Sequence, residues 1–228
     1  MIHTFKKAFV VTIPILFAFL FLGISYGMLM ESKGFGVIWS SLISLFTFAG
    51  AAQFAMVVFL TTSLNPLIVF VIVLIINARH LFYSVSMLKR YEETGNSKWY
   101  LLFGLTDETF SLVSTLEVPT QINKKQFYIF ITALNHFYWV VGTLIGALLG
   151  RVLQSEIAGL DFILTALFVS VFTLKMKKRY NVVPGLIGLG VSLIMLFIFG
   201  EHFIIPAMIV MITLLLINQK SYVRGENL

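Results

Sequence analysis

"GFGVIWSSLISLFTFAGAAQFAMVVFLTTSLNPLIVFVIVLIINA", residues 34–78, contains no formally charged side chain, and the next two residues are Arg79 and His80. The chain then stays mostly apolar until Lys89. A run this long belongs in lipid or in a deep core, and the rest of the sequence decides between them. Of 228 residues, 59% are hydrophobic and only 11% charged, with a mean hydropathy of +0.96. A water-soluble domain carries about 25% charged residues, because its surface must be wetted. This chain has too few charges to coat a soluble globule, and its 23 phenylalanines suit a lipid-facing surface. No segment has the alternation, about ten residues long, that marks a membrane β-barrel. The fold class is therefore an all-α integral membrane protein.

Splitting the chain at charges, prolines and polar clusters gives eight candidate spans: 8–30, 35–60, 66–88, 99–116, 127–150, 157–174, 182–200 and 203–218. Crossing a bilayer takes about 20 apolar residues. The last span is short and the fourth marginal, so the count is about eight, seven or eight, and either the second or the fourth span is a candidate for a broken or re-entrant helix. The tails and loops are too short to fold independently. Residues 1–228 therefore read as a single transmembrane transport domain with no soluble domain. Lys6 and Lys7 before an apolar run look like the start of a signal peptide, but Ala8–Met30 is long enough to span and lacks a cleavage site. It is expected to be retained as the first span.

The net charge is +6, with 16 Lys and Arg against 10 Asp and Glu. Most of the basic residues flank apolar runs, as expected of loops beside an anionic inner leaflet. The expected surroundings are a lipid bilayer, with no nucleic acid. With eight crossings and a cytoplasmic N-terminus, ten basic residues fall inside. Lys33, Lys89, Arg90, Lys98 and Arg151 fall outside. Loop 89–98 fits this poorly, and a re-entrant second or fourth span would change the count. The absence of cysteine removes disulfides and thiolate chemistry. No HExxH, GxSxG or nucleotide-binding glycine loop is present, so neither an enzyme nor any metal or cofactor is expected.

An ionisable group at a helix centre costs about 2.5–3.5 kcal/mol on insertion scales, so such groups are usually hidden, paired and useful. Arg79 and His80 lie near the middle of the third span, Asp107 and Glu108 near the middle of the fourth, and His136 within the fifth. On a helix, Asn77, His80 and Ser84 share one face, and Arg79 and Tyr83 its neighbour. Gly104, Asp107, Ser111 and Ser114 would form one polar stripe. Asn77, Arg79, His80, Tyr83, Asp107 and Glu108 are the candidates for a substrate or proton path. The alternative is a buried ion pair that only ties two spans together. His136, beside Trp139, and Asp161 read better as packing and interface residues.

In "FTFAGAAQFAM", residues 46–56, the small residues Ala49, Gly50, Ala51 and Ala52 allow close approach, and Gln53 adds an amide in the apolar zone. Tight helix packing and a broken helix offering backbone N–H groups to a substrate are equally compatible with this pattern. "GISYG" (23–27) and "GTLIGALLG" (142–150) space glycines for helix contact. The second is expected to present a surface on which a partner's helix could dock.

"LGISYG" (22–27), "FAGAAQF" (48–54), "NARHLFYSVS" (77–86), "LTDETFSL" (105–112) and "GLDFILTALF" (159–168) together resemble the AzlC family of branched-chain amino acid permeases, in their order and spacing. Beyond Phe168 the likeness fades to "VPGL" (183–186). The resemblance implies a multi-pass exporter of leucine, isoleucine and valine, or analogues, in the bacterial cytoplasmic membrane. It also implies a small, separately encoded membrane subunit of the AzlD type. The residues alone indicate a membrane-buried site of mixed charge suited to a zwitterion. A gated channel and a non-transporting scaffold or sensor subunit are the rival classes.

Overall fold

The computed structural model describes residues 1–63, 65–118, 122–153, 182–200 and 203–217, with isolated positions between 162 and 176. The expected span 157–174 lies largely outside them, as do Asp161, Glu201 and His202. The described residues form helices and no strands. They are α1 (Ile2–Ser32), α2 (Gly36–Thr47), α3 (Gly50–Thr61), α4 (Pro66–Met87), α5 (Lys98–Phe103), α6 (Asp107–Thr115), α7 (Lys124–Leu153), α8 (Val182–Phe199) and α9 (Ile204–Ile217). The chain divides into two compact units, residues 1–161 and 162–228.

In the first unit, α1 and α7 run parallel at backbone contact. Phe5 meets Phe130 edge-on, with ring centroids 5.4 Å apart, and the Thr12 and Tyr138 hydroxyls bond at 3.1 Å. Farther along, glycine makes the approach possible. A Cβ on Gly27 would lie 2.1 Å from the Thr143 carbonyl oxygen, and one on Gly146 would lie 2.0 Å from that of Ile24. Lipid offers no hydrophobic force between helices, so close packing over small residues substitutes for it. Gly142 and Gly146 are thus covered by α1 of the same chain, which corrects the expectation that they form a partner-binding surface. The partner-surface reading failed because "GISYG" and "GTLIGALLG" complement each other.

The parallel pair defines an amino end and a carboxyl end for this unit. The chain leaves α1 at the carboxyl end through Gly34 and Gly36, both at positive φ, and enters α2. Ser44 then reaches Thr143, at 2.7 Å, and Phe48 packs against Phe19 near mid-depth. There the helix breaks, with Phe48 left-handed at φ 36° and Ala49 non-helical at φ −138° and ψ 80°. α3 turns back, carrying Phe54 to Tyr26, nearer the carboxyl end. At about 1.5 Å per residue, each 12-residue arm reaches only about 18 Å, short of a hydrocarbon core about 30 Å thick.

α4 starts from the carboxyl end, with Asn65 accepting a hydrogen bond from the Leu67 amide and Pro66 in the first turn. Its 22 residues cross to the amino end, where Met87 and Tyr91 join a buried cluster with Ala8, Phe127 and Tyr128. From that end α5 climbs until Gly104 abuts Thr132, and α6 descends until Val113 returns to the same cluster. Arg90 closes this second hairpin. Its Nη1 and Nη2 donate to the Ser114 and Leu116 carbonyls, and its Nε to the Tyr128 hydroxyl.

Spans two and four are therefore both broken and re-entrant, and they enter from opposite ends. The polar stripe expected along 104–114 is divided, because Gly104 ends one helix and Asp107 starts the next. Loop 89–98 lies at the amino end, which corrects its assignment to the side opposite the N-terminus. Alternation of crossings fails because each hairpin returns to the end it entered.

In the second unit α8 and α9 pack together across Gly200, which has φ 55°, and the Gly200 carbonyl accepts from the Phe203 amide at 3.2 Å.

Gly27→Ala and Gly146→Ala are each expected to destabilise the protein by about 1–3 kcal/mol through overpacking against backbone. Gly190→Ala, whose Cβ would meet nothing within 4 Å, should be neutral. Thermal melts of the three variants in detergent check this, and equal melting points would refute the proposed role of the α1–α7 contact.

Candidate functional site

The two hairpin breaks carry the polar residues that the sequence singles out. At the second break, Thr106 caps α6: its side-chain oxygen accepts from the Thr109 amide at 3.3 Å. Asp107 and Glu108 then occupy the first turn, where the positive end of the helix dipole favours carboxylates. The break thus gives two acids a local electrostatic reason to lie within an otherwise apolar stretch. Asn135 of α7 donates to the Thr109 hydroxyl at 3.0 Å, which pins α6 from behind.

Arg79 on α4 donates through Nη1 to Oδ2 of Asp107. Both side chains are only part-buried, and two of their inward atoms, Arg79 Nε and Asp107 Oδ1, have no hydrogen-bond partner. Buried polar atoms are rarely left this way, and each unmet donor or acceptor costs about 1–3 kcal/mol. Among its buried atoms the pair therefore retains an unmet donor at Arg79 Nε and an unmet acceptor at Asp107 Oδ1. Tyr83, one turn beyond Arg79, stacks on Phe110 of α6 with centroids 4.3 Å apart, and the His80 ring lies 6.0 Å from Tyr83. Asn77 Oδ1 is also buried without a partner. Among the described residues Glu108 makes no ion pair.

The first break uses its residues differently. Gln53 is fully buried, and both ends of its amide are engaged: Nε2 donates to the Ile43 carbonyl at 3.1 Å, and Oε1 accepts from Trp139 at 2.7 Å. It splints the hairpin. Gly50 lies against the Trp139 ring, and α3 begins at Ala49 without a side-chain cap. The small residues Ala49 to Ala52 thus start a half-helix, and they also pack closely, Gly50 against the Trp139 ring, so the backbone break and the tight packing occur together.

His136 is a hydrogen-bonded packing residue, as the sequence suggested, and it packs between the two hairpins. Its Nε2 donates to the Leu45 carbonyl of α2 at 3.1 Å. A carbonyl only accepts, so that nitrogen carries the proton and Nδ1 accepts from the Tyr100 hydroxyl of α5, at 3.4 Å. The ring face stacks on Phe48, with centroids 4.4 Å apart, and Phe103 meets it edge-on at 5.9 Å. A signal was present: Thr132, Asn135, His136, Trp139 and Thr143 recur at helical spacing, placing one polar stripe along α7.

Half-helices entering from opposite ends of the unit, beside helices long and apolar enough to cross a bilayer, are the arrangement of a multi-pass membrane protein of the transporter type. The AzlC protein family matches residues 14–153, and the chain belongs to that family. Its relatives are named as membrane or transport proteins. The branched-chain amino acid transport protein AzlC of Bacillus subtilis is 44% identical over 225 residues, covering 97% of this chain and 88% of its own length. An uncharacterized membrane protein of Haemophilus influenzae is 38% identical, with 90% and 84% covered. The inner membrane protein YgaZ of Escherichia coli is 27% identical, with 81% and 79% covered. No solved structure matches the chain.

Arg79→Ala is expected to lower the yield of folded protein, because it strands the Asp107 carboxylate in a setting of low dielectric. Combining it with Asp107→Asn and Glu108→Gln should restore the yield without restoring activity. A triple variant that expresses no better than Arg79→Ala alone would refute the pairing of α4 with α6.

Proposed function

We propose that this chain exports branched-chain amino acids across the bacterial cytoplasmic membrane through a mid-membrane site centred on Arg79 and Asp107. One observation carries the reading: the ion pair leaves a free donor at Arg79 Nε and a free acceptor at Asp107 Oδ1. An amino-acid zwitterion supplies the complement, a carboxylate for the guanidinium and an ammonium for the carboxylate. The name of the B. subtilis relative supplies the substrate class. Glu108, acidic, deep and without an ion pair, is the residue assigned to carry a proton, and Asn77, His80 and Tyr83 line the path beside it. The uncapped start of α3, Gly50 to Ala52, offers backbone N–H groups as a second hold on a carboxylate.

The amino end of the first unit collects Lys6, Lys7, Lys89, Arg90, Lys98, Lys124 and Lys125, whereas Lys33 and Arg151 lie toward the other end. That asymmetry supports a cytoplasmic N-terminus. Both units are proposed to act as one transport domain, together with a small membrane subunit of the AzlD type. A channel would need a continuous polar path, and a scaffold has no use for an unsatisfied ion pair.

The test is counterflow of labelled leucine, isoleucine and valine in proteoliposomes, with and without an AzlD-type subunit. Glu108→Gln should insert normally, since it removes a charge without an ion-pair partner, whereas Asp107→Asn leaves Arg79 unpaired and should lower the yield as Arg79→Ala does. Per inserted protein, at least one should reduce exchange by about a hundredfold or more, the scale of losing a charged contact of about 3 kcal/mol. Unimpaired exchange in both variants and in their double combination would rule out an acidic site. Exchange that ignores all three amino acids would remove the substrate.

A further inference from the structure

The two hairpins stop short of crossing, and their tips meet through aromatic rings. Phe48 at the tip of the α2–α3 hairpin and Phe103 at the tip of the α5–α6 hairpin lie with centroids 6.4 Å apart. The His136 ring contacts both, and its two nitrogens bond one hairpin each, Leu45 on one side and Tyr100 on the other. Phe48 is also the non-glycine residue at positive φ among the described residues. Left-handed backbone at a side-chain-bearing residue costs about 1–2 kcal/mol, and glycine would avoid it. The aromatic ring is therefore retained at a tip where the backbone alone would favour glycine.

We propose that Phe48, Phe103 and His136 form the gate of the transport path, with His136 as the positioning residue that latches the two hairpins together in the state seen here. The proposal rests on the transporter reading above and assigns it a moving part. Either hairpin can leave by giving up one polar contact and its ring contacts with His136, Phe48 on one side or Tyr100 and Phe103 on the other, together with the Phe48–Phe103 contact, while the other hairpin stays bound. This allows the path to open toward one end at a time. The two sides are not equally held. The α2–α3 hairpin is fastened near its tip by Ser44 to Thr143 at 2.7 Å, by Trp139 to Gln53 at 2.7 Å, and by the 3.1 Å His136 bond. At its tip α5 has the 3.4 Å Tyr100 contact, with the next tie to α7 at Thr109. The α5–α6 hairpin, which carries Asp107 and Glu108, is the one that moves.

The absence of native cysteine makes the test direct. Phe48→Cys and Phe103→Cys are introduced together into the full chain, reconstituted with its small subunit, and bridged with a short bifunctional thiol-cleavable reagent. Bridging should lower leucine exchange by about tenfold or more, the scale of blocking a required two-state step, and reduction should restore it. Unchanged exchange after complete bridging would overturn the gate. Loss of exchange before any bridging would leave the decision to a second measurement that needs no transport. In that measurement, spin labels at Val58→Cys on α3 and Ser111→Cys on α6 report the separation of the hairpins by pulsed dipolar spectroscopy. His136→Phe keeps a ring but loses both polar contacts, and should shift the distribution toward longer distances. His136→Gln, which retains an N–H for the Leu45 carbonyl, should shift it less. Identical distributions in all three proteins would overturn the latch. Should the distributions respond while no branched-chain amino acid exchanges in the parent protein, the latch stands and the assigned substrate fails.

Discussion

Everything in the first unit hangs on backbone-to-backbone contact between α1 and α7. Hydrophobic burial cannot hold two helices together in lipid, because lipid tails are as apolar as leucine. Glycines on both helices remove the side chains that would keep them apart, and a Cβ at Gly27 or Gly146 would overlap the facing carbonyl. Once α7 is fixed in this way, its other face is free to serve the hairpins. Thr132 abuts Gly104, Asn135 bonds Thr109, Trp139 bonds Gln53 and Thr143 bonds Ser44. Both breaks are thus set against one rigid rod.

That arrangement answers the main cost of a broken helix in a membrane. Interrupting the backbone frees N–H and C=O groups, and lipid cannot satisfy them. Here the freed groups are met by side chains: His136 takes the Leu45 carbonyl, Gln53 that of Ile43, and Arg90 those of Ser114 and Leu116, while Thr106 accepts from an amide. Among the buried polar atoms that stay without a partner, two belong to the ion pair between α4 and α6, Arg79 Nε and Asp107 Oδ1, and Asn77 Oδ1 lies half a turn away on α4. Leaving part of a charged pair unmet costs more than leaving a neutral hydroxyl unmet, which is why the proposed site is centred there.

Much of this was legible in the sequence, and the limits have physical causes. Composition alone fixed an all-α membrane protein, and the cost of buried charge drew attention to Arg79 and Asp107, which the structure brings into contact. Pro66 after Asn65 marked the start of α4. The hairpins were harder to read, because a half-helix and a full span have the same hydropathy. Thr106 before two acids was a usable N-cap signal that would have split the fourth span. The break at Phe48 had no such signal, since an aromatic residue is not expected in left-handed backbone. The function of Gly142 and Gly146 could not be settled from one helix, as a smooth face does not say which helix covers it.

A last regularity is visible only in the path of the backbone. α1 runs from the amino to the carboxyl end and is followed by a hairpin entering from the carboxyl end; α4 runs the other way and is followed by a hairpin entering from the amino end. The helix-then-hairpin unit therefore occurs twice in opposite orientation, the arrangement that lets a transporter open toward either side around a site at the midplane. No similarity in residues betrays it: "FAGAAQF" and "LTDETF" share little beyond lying at a break. One break is neutral, and Gln53 splints it between Trp139 and the Ile43 carbonyl. The other gathers two acids at the start of α6 and is held by Arg79 and Arg90 on one side and Asn135 on the other, so the two breaks meet the same cost of an interrupted backbone by different means.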